Sequence, residues 1–236
     1  KLCGGLLTCK TVRSLERIFQ TRRQTLTSAG LIRLETRRYT VADRCGHALT
    51  RRLSDPFHLV DRTTYDAFWL GQAVSAGARF YPGTTVVSLD PDRCEARTDN
   101  GRRWRARVVI GADGVDSRIR RALAAGGNLR LPRRRGRAVA LECFVPRRPG
   151  AFPDHPTIYF GKVRRGYAWS FPGPVRQALG IAALKSPGHR LQDDFRRFLR
   201  ELELPEPERL RLYAHGLPYG SYLKTPGCGN TLLVGD

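Results

Sequence analysis

The sequence is most constrained between residues 107 and 120, where a short apolar strand, a glycine-rich turn and a helix follow one another. Residues 108–110 are β-branched and predict a buried parallel strand. Because glycines stand on both sides of Asp113, we expect a backbone with positive φ or a close approach to another group. Asp116 or Ser117 can cap the helix that follows. A turn at a helix N-terminus can bind an anion, although an ordinary strand–turn–helix unit has the same pattern.

The chain has 42 Lys and Arg residues against 21 Asp and Glu residues, which gives a net charge of +21. Such an excess favours anionic partners, either nucleic acid or an anionic membrane surface. The arginines are spread along the whole chain, however, and no zinc-finger, RNA-recognition or basic-helix pattern accompanies them. We therefore expect no specific nucleic-acid partner. The densest basic cluster, residues 130–137, suits a solvated connector.

The six cysteines and five histidines are scattered, without the spacing of metal ligands or redox motifs. This predicts reduced thiols and no metal site, and it gives no support to a hydrolase. No apolar run approaches the roughly 20 residues of a membrane span and nothing reads as a signal peptide, so we expect a cytoplasmic protein. The chain contains no Met and stops directly after an apolar strand, which predicts a fragment of a longer protein.

The remaining patterns predict an α/β protein, or α+β overall. Residues 31–42 and 47–53 have the composition of a strand pair, and residues 78–90 that of a further strand region. Apolar positions with helical spacing run from Tyr65 to a stop at Gly77. The rest predicts an antiparallel sheet at 138–145, 157–160, 167–171 and 177–184, an amphipathic helix at 191–202, and returning strands at 210–217 and 231–234.

The turn that follows the predicted strand at residues 108–110 has the sequence Gly-Ala-Asp-Gly-Val-Asp-Ser. It resembles a motif of the glutathione-reductase-type flavoproteins, in the branch shared by flavin monooxygenases and geranylgeranyl reductases. In that family the motif lies near the FAD pyrophosphate, which implies that Gly111, Asp113 and Gly114 bind the cofactor. The last two residues, Gly235 and Asp236, resemble the family's closing Gly-Asp motif, whose aspartate contacts the ribityl or phosphate region of FAD.

Two further segments resemble motifs of geranylgeranyl reductase-like flavoproteins. The chain begins Lys-Leu-Cys-Gly-Gly, similar to a family segment that runs beside the flavin. This implies flavin contacts for Cys3, Gly4 and Gly5, whereas the residues alone indicate a packed thiol and a tight turn or close backbone approach. Arg62 and Asp66 resemble the ends of the Arg-x-x-Phe-Asp signature, whose arginine lies at the flavin site. The same spacing also suits a simple i, i+4 ion pair.

Aromatic residues alternate along residues 167–171, so their three rings face one side of a strand. This pattern by itself is typical of a sheet core. It also resembles the Tyr-x-Trp-x-Phe-Pro motif of geranylgeranyl reductases, which borders the prenyl-chain cavity, although flavin halogenases have a comparable strand. The resemblance implies substrate contacts for five residues: Tyr167, Trp169, Phe171, Pro172 and Gly180. Ala182 departs from the family pattern, which has a second glycine there.

The resemblance implies a Rossmann-like FAD/NAD(P)-binding domain with an inserted antiparallel-sheet substrate domain. Residues 1–129 are then a partial FAD-binding domain, 130–226 the substrate-binding domain, and 227–236 the return to the FAD-binding domain. The sequence contains no GxGxxG turn, which in the family carries the main adenosine-diphosphate cradle. We therefore expect this fragment to bind FAD weakly or not at all, and to be inactive by itself.

Together the motifs imply an FAD-dependent oxidoreductase that reduces double bonds of a prenyl chain by hydride transfer from reduced flavin. The implied partners are a prenylated lipid or another hydrophobic substrate, NAD(P)H or another reductant, and an anionic membrane surface in peripheral contact. The motifs identify no proton donor or other catalytic residue. Two alternatives stay open: an FAD-dependent monooxygenase or halogenase acting on an aromatic substrate, and a non-enzymatic basic binding module.

Overall fold

The protein is described by a computed structural model that covers residues 3–127, 129, 136–148, 150–204, 206–220 and 223–236. The chain divides into two compact units. The first contains the residues up to Ala78 together with Val139–His215, and the second contains Arg79–Ala138 and Gly216–Asp236. This division differs from the predicted boundaries at residues 129 and 226, and the roles assigned to the predicted domains stay predictions.

The described residues form a mixed α/β structure, as the sequence predicts. The helices are α1 Cys9–Phe19, α2 Arg23–Ser28, α3 Arg62–Ser75, α4 Arg118–Ala125 and α5 Leu191–Glu201, with a 3₁₀ turn at Pro207–Arg209. The strands are β1 Leu6–Leu7, β2 Ile32–Ala42, β3 Ala48–Val60, β4 Val86–Asp90, β5 Glu95–Thr98, β6 Arg103–Arg105, β7 Val109–Gly111, β8 Gly136–Pro146, β9 Thr157–Phe160, β10 Gly166–Pro172, β11 Arg176–Leu184, β12 Tyr213–Tyr219, β13 Gly227–Cys228 and β14 Thr231–Leu233.

The largest element is an eight-stranded sheet with the order β1-β3-β2-β9-β10-β11-β8-β12. Strands β2 and β3 form the predicted antiparallel pair, and β3 continues to Val60, beyond the predicted end at residue 53. Strands β9, β10 and β11 are also antiparallel neighbours, whereas β2 and β9 run parallel. The predicted sheet of short strands is therefore present, and the first strand pair belongs to it.

One face of this sheet packs against α5. The helix lies where the amphipathic pattern predicts it, and Phe195, Phe198 and Leu199 are fully buried. They form one core cluster with inward-facing residues of the sheet, among them Leu179 and Ile181 on β11. Burial of each large apolar side chain stabilises the fold by about 1.5–3 kcal/mol. The contact with α5 therefore contributes much of the stability of the sheet.

A second core cluster joins α2, α3 and the start of β2. Its buried members are Leu26, Leu31, Ile32, Val60 and Tyr65. Helix α3 confirms the predicted helix, and it begins where the side chain of the residue before it, an aspartate, caps the first turn. This packing fixes the N-terminal end of α3 beside the end of β3.

The second unit contains two three-stranded sheets, β13-β14-β7 and β4-β5-β6. Strands β7 and β14 are parallel, as predicted for the strand before the glycine-rich turn. The prediction that this strand is buried is wrong, since Ile110 is 59% exposed. The reason is that successive residues of a strand face opposite sides, and α4 packs through Ile119 on the side of Gly111, so Ile110 faces away from that helix. Residues 78–83 are not a strand either, because Pro82 and Gly83 form a turn there.

Candidate active site

The first unit contains a cavity of about 570 Å³ between the N-terminal segment, the start of α3 and the ends of several sheet strands. Its walls are formed by Cys3, Gly4, Arg33, Leu59–Thr64, Phe144, Phe171–Arg176, Ala178 and Tyr213. Three of the predicted segments therefore meet here: the Cys-Gly-Gly start, the arginine of the Arg-x-x-Phe-Asp signature, and the end of the aromatic strand. The volume lies within the range of small-molecule sites.

The two adjacent glycines allow the N-terminal segment to approach the sheet closely. Gly5 has φ +74°, and an added Cβ would lie 2.1 Å from the carbonyl oxygen of Val60. The Val60 N–H also donates to the Gly5 carbonyl oxygen over 2.9 Å. A Cβ on Gly4 would lie 2.6 Å from the Phe171 ring. The close backbone approach expected from this glycine pair is present, and Gly4 lines the cavity because of it.

Arg62 is the first residue of α3 and lines the cavity. Its Nε and Nη2 atoms donate to the two carboxylate oxygens of Asp66, each over 2.9 Å, so the i, i+4 pair is bidentate. Burial lowers the pKa of Arg62, but the Asp66 hydrogen bond and interactions with Cys3 outweigh it and raise that pKa. The guanidinium is therefore a fixed cation, with its side chain 25% exposed.

A second arginine of the cavity was not found from the sequence. Arg176, at the start of β11, forms an ion pair with Asp61, and its guanidinium lies 4.3 Å from the centre of the Phe144 ring. Asp61 also caps α3 by accepting from the Thr63 and Thr64 N–H groups. Burial raises the pKa of Asp61, but Arg176 and these N–H donors outweigh it and lower that pKa. Nothing local in the sequence signals the Asp61–Arg176 pair, because the partners are far apart along the chain.

The aromatic residues of β10 lie on one face, as predicted. Ring centres are 5.9 Å apart for Tyr167 and Trp169, and 6.2 Å apart for Trp169 and Phe171. Of these three described rings, only Phe171 lines the cavity, followed by Pro172. Tyr167 is 41% exposed, whereas Trp169 is 8% exposed. Their assignment as substrate contacts stays a prediction.

Gly180 stands opposite Trp169 in the β10–β11 register. An added Cβ at this position would lie 2.0 Å from Cζ2 of the indole ring. The ring therefore lies directly across β11, and only a residue without a side chain fits beneath it. This packing role accounts for Gly180 independently of any substrate.

Glu142 on β8 is a buried acid that none of the sequence motifs includes. Its side chain is 1% exposed, and Oε1 accepts from the Trp169 Nε1–H over 3.4 Å. Burial raises the pKa of Glu142 to about 7, against the opposing effects of the Trp169 hydrogen bond and the charge of Arg176. In the sequence, Glu142 is the one acid in an otherwise apolar run at residues 138–145, and this pattern could have indicated a buried carboxyl group.

In the second unit, the glycine-rich turn joins β7 to α4. The Asp113 Oδ2 atom accepts from the N–H groups of Arg118 at 2.6 Å and Ile119 at 3.4 Å. Ser117 is the N-cap, one of the two predicted candidates, and accepts from the Arg120 N–H over 2.9 Å. Burial raises the pKa of Asp113, but hydrogen bonds from Ser117 and Arg118 outweigh it and lower that pKa. This carboxylate therefore holds the turn against the helix.

The two motifs of the second unit end side by side. Gly111 is the register partner of Leu233, and its carbonyl oxygen accepts from the Val234 N–H over 3.0 Å. A Cβ on Gly111 would lie 2.8 Å from both Ile119 and Leu233. The turns that follow contain Gly114 and Gly235, both with positive φ, and Asp236 ends the chain. The carboxyl ends of adjacent parallel strands are where ligands bind in open α/β sheets.

Within the described part of the chain, no three His, Cys, Asp or Glu side chains are grouped so that they could hold a metal ion. The helices in the same residues include none that combines the length and the apolar character needed to cross a membrane.

No family model matches the sequence. An uncharacterized protein of Methanosarcina barkeri is 31% identical over 183 residues, which cover 75% of this chain and 45% of that protein. The digeranylgeranylglycerophospholipid reductase of Methanocella arvoryzae is 26% identical over 189 residues, which cover 75% of this chain and 47% of the reductase. The chain thus spans just under half the length of the curated relatives that it matches.

Solved structures share the fold over nearly the whole chain. A geranylgeranyl bacteriochlorophyll reductase-like protein from Thermoplasma acidophilum has a TM-score of 0.76 at 17% identity, covering 99% of this chain and 60% of its own. PqsL from Pseudomonas aeruginosa, a probable FAD-dependent monooxygenase, has a TM-score of 0.71 at 19% identity, covering 99% and 68%.

The chain has the fold of FAD-dependent oxidoreductases, including a geranylgeranyl reductase-like protein and a probable monooxygenase. Three quarters of it is similar in sequence to a digeranylgeranylglycerophospholipid reductase. The resemblance predicted from the motifs is confirmed.

Proposed function

We propose that the protein acts as an FAD-dependent oxidoreductase that reduces carbon–carbon double bonds of a prenyl chain. The observation that carries the proposal is the cavity of about 570 Å³ in which the Cys-Gly-Gly segment, Arg62 and the end of the aromatic strand meet. The sequence relative named for reduction of a geranylgeranyl lipid supports the same substrate class. Because the chain spans just under half of that relative, the activity belongs to the whole protein.

The residues present fit parts of FAD. Among the residues that the structure describes, nothing lies within 4 Å of the position that a Cβ would occupy at Gly114 or Gly235, so the backbone of both turns is open to a ligand there. Arg62 supplies a cation held in one orientation. The residues that we propose to hold the cofactor are those that the resemblance implies: Cys3, Gly4, Gly5, Arg62, Gly111, Asp113, Gly114, Gly235 and Asp236. When bound and reduced, FAD supplies the hydride.

The chain's own contribution is binding, orientation and exclusion of water. Phe144, Phe171 and Tyr213 give the cavity an aromatic lining that suits a prenyl chain. Arg62 and Arg176 place two positive charges at the same cavity, and both are held by carboxylates. A prenyl lipid with an anionic head group matches this combination of apolar walls and fixed cations.

The electron donor and the membrane contact are further parts of the proposal. NAD(P)H or another reductant reduces the oxidised flavin again. The net charge of +21 supports peripheral contact of a cytoplasmic protein with an anionic membrane surface. Sedimentation with vesicles of anionic lipid tests the contact: we expect co-sedimentation at low salt that is lost at high salt, and no binding at either salt concentration contradicts it.

The test of the main proposal is an absorption spectrum of the protein expressed from its complete gene. We expect flavin bands that bleach with anaerobic dithionite and return when a geranylgeranyl lipid is added. Bleaching without return of the bands contradicts prenyl reduction. A spectrum without flavin bands contradicts both prenyl reduction and the monooxygenase function. The non-enzymatic basic binding module is then the remaining alternative.

A matched pair of variants tests the role of Arg62. Arg62→Ala removes the cation from the cavity, and we expect flavin affinity to fall by about 10- to 100-fold, the value of one charge-assisted hydrogen bond. Arg17→Ala, on the exposed face of α1, is the control for the change in net charge. Equal flavin affinity in the two variants contradicts the assignment.

The second candidate is a flavin monooxygenase acting on an aromatic substrate, which the fold shared with PqsL supports. In that case oxygen-dependent consumption of NADPH should rise when an aromatic compound is added. Under anaerobic conditions a geranylgeranyl lipid would then leave the reduced flavin unchanged, so the anaerobic and the aerobic assay together distinguish the two candidates.

A further inference from the structure

The buried acid on β8 has one oxygen without a partner. Oε1 of Glu142 accepts the indole N–H of Trp169, but Oε2 is buried and has no hydrogen-bond partner among the described residues. An ionised carboxylate in this position would place a buried negative charge on a group whose Oε2 has no donor, which costs free energy. A neutral carboxyl with the proton on Oε2 avoids most of that cost, and the pKa raised to about 7 by burial agrees with this.

Glu142 is connected to the cavity through the indole ring that it holds. The Nε1 atom of Trp169 lies 3.3 Å from the position that a Cβ on Gly4 would occupy, and Gly4 lines the cavity. Phe144, two residues further along β8 and therefore on the same face of the strand, also lines it. The indole is fixed from the other side by Gly180, over which it lies.

We propose that Glu142 is a positioning residue of this cavity that works as a neutral acid: its protonated carboxyl holds the Trp169 indole beside Gly4, and loss of the proton from Oε2 moves the indole. The movement follows because the Oε2 atom of a buried carboxylate needs water or a cation as a partner, and the indole, which donates to the same carboxyl group, shifts with it. Only the identification of the cavity as a substrate site rests on the proposed function. The titration is a property of the chain itself.

Other ionisable groups lie on β8, on the nearby strands and in the cavity wall, and they must be separated from Glu142 experimentally. They are Arg176 on β11, Tyr167 on β10, Tyr213 and His215 on β12, Cys3 in the N-terminal segment, and Cys143 beside it on β8. Burial, followed by the charge of Glu142, raises the pKa of Cys143 to about 12, so this thiol does not titrate near neutrality. His215 is an imidazole on β12, the strand next to β8, so it needs its own control.

The test uses the intrinsic fluorescence of Trp169. The chain has three Trp residues, so Trp69→Phe combined with Trp104→Phe leaves Trp169 as the only one. We expect its emission maximum and its acrylamide quenching to change between pH 5 and 9 with a single-proton midpoint near 7, without any flavin present. Glu142→Gln should abolish this change, and His215→Gln should leave it in place.

A titration that persists in Glu142→Gln, or emission that is flat from pH 5 to 9, overturns the proposal. Infrared spectroscopy gives a second measurement that needs no variant of the acid. We expect the C=O stretch of a buried protonated carboxyl at pH 6, and its loss above pH 8; absence of that band at pH 6 also overturns the proposal. Failure of the full protein to bind flavin would contradict the proposed function and leave both measurements of Glu142 unaffected.

Discussion

The close fit between Trp169 and Gly180 gives a prediction whose size follows from the structure. In Gly180→Ala the new Cβ would lie 2.0 Å from Cζ2 and 2.2 Å from Cε2 of the indole. Carbon atoms in contact are normally about 3.5–4.0 Å apart, so the ring must move by roughly 1.5 Å or more. Gly180 does not have positive φ, so the backbone itself accepts Ala. The cost is therefore steric.

We expect Gly180→Ala to lower the free energy of unfolding by about 2–3 kcal/mol. Overpacking of a core costs about 1–3 kcal/mol, loss of the Trp169–Glu142 hydrogen bond adds about 1 kcal/mol, and the better strand propensity of Ala offsets part of this. Urea unfolding followed by circular dichroism measures the difference. Gly71→Ala is the control, because it lies on α3 with nothing within 4 Å of its Cβ position.

A double-mutant cycle isolates the contact between the two residues. In the Trp169→Ala background the indole is gone, so Gly180→Ala should cost close to nothing, and the coupling energy should be about 2–3 kcal/mol. The reasoning is refuted if Gly180→Ala costs no more than Gly71→Ala, or if its cost is the same with and without the indole.

Three further changes test other contacts of the structure, each by urea unfolding. Because the pKa of Glu142 is raised in the folded state, the neutral carboxyl adds to the free energy of unfolding. This contribution is complete below pH 4.5 and is lost as the pH rises through about 7. Glu142→Gln should therefore be more stable than the parent by about 2–3 kcal/mol at pH 9 and equal to it near pH 4; a difference independent of pH contradicts this. Asp113→Ala should cost about 1 kcal/mol at pH 7, because α4 loses hydrogen bonds to its first N–H groups. Its lowered pKa places that contribution above about pH 4, so parent and variant should converge in acid. Gly5→Ala should cost more than about 2 kcal/mol, since its φ of +74° and the 2.1 Å approach to the Val60 oxygen both exclude a side chain; a smaller cost would show that the N-terminal segment can shift.

The elements that depend on local pattern were predicted correctly. The spacing of apolar residues at 191–202 predicts α5, and the structure places it at Leu191–Glu201. Arg62 and Asp66 were recognised because a residue and its fourth neighbour meet on one side of a helix. The error at 78–83 came from giving apolar composition more weight than the Pro82-Gly83 turn.

The parts that depend on distant segments could not be predicted. Arg176 meets Asp61 only because β11 and the start of α3 end at the same cavity. The sequence pattern also does not reveal that Trp169 bridges from β10 across β11 to Glu142 on β8. Likewise, β-branched residues at 108–110 indicate a strand that is covered on both faces, whereas the elements that cover each face are set by the whole fold.

The parallel pairing of β7 with β14 has a consequence for synthesis on the ribosome. Val109 pairs with Thr231, so the two strands are separated by about 120 residues of chain. At translation rates of about 5–20 residues per second, β7 emerges on the order of ten seconds before its partner exists. During that interval β7 lacks the pairing that β14 supplies, and non-local pairing of this kind is slow to form. An unpaired strand edge is prone to aggregation, so the apolar edge around Ile110 is exposed to it while the residues between these two strands are being synthesised.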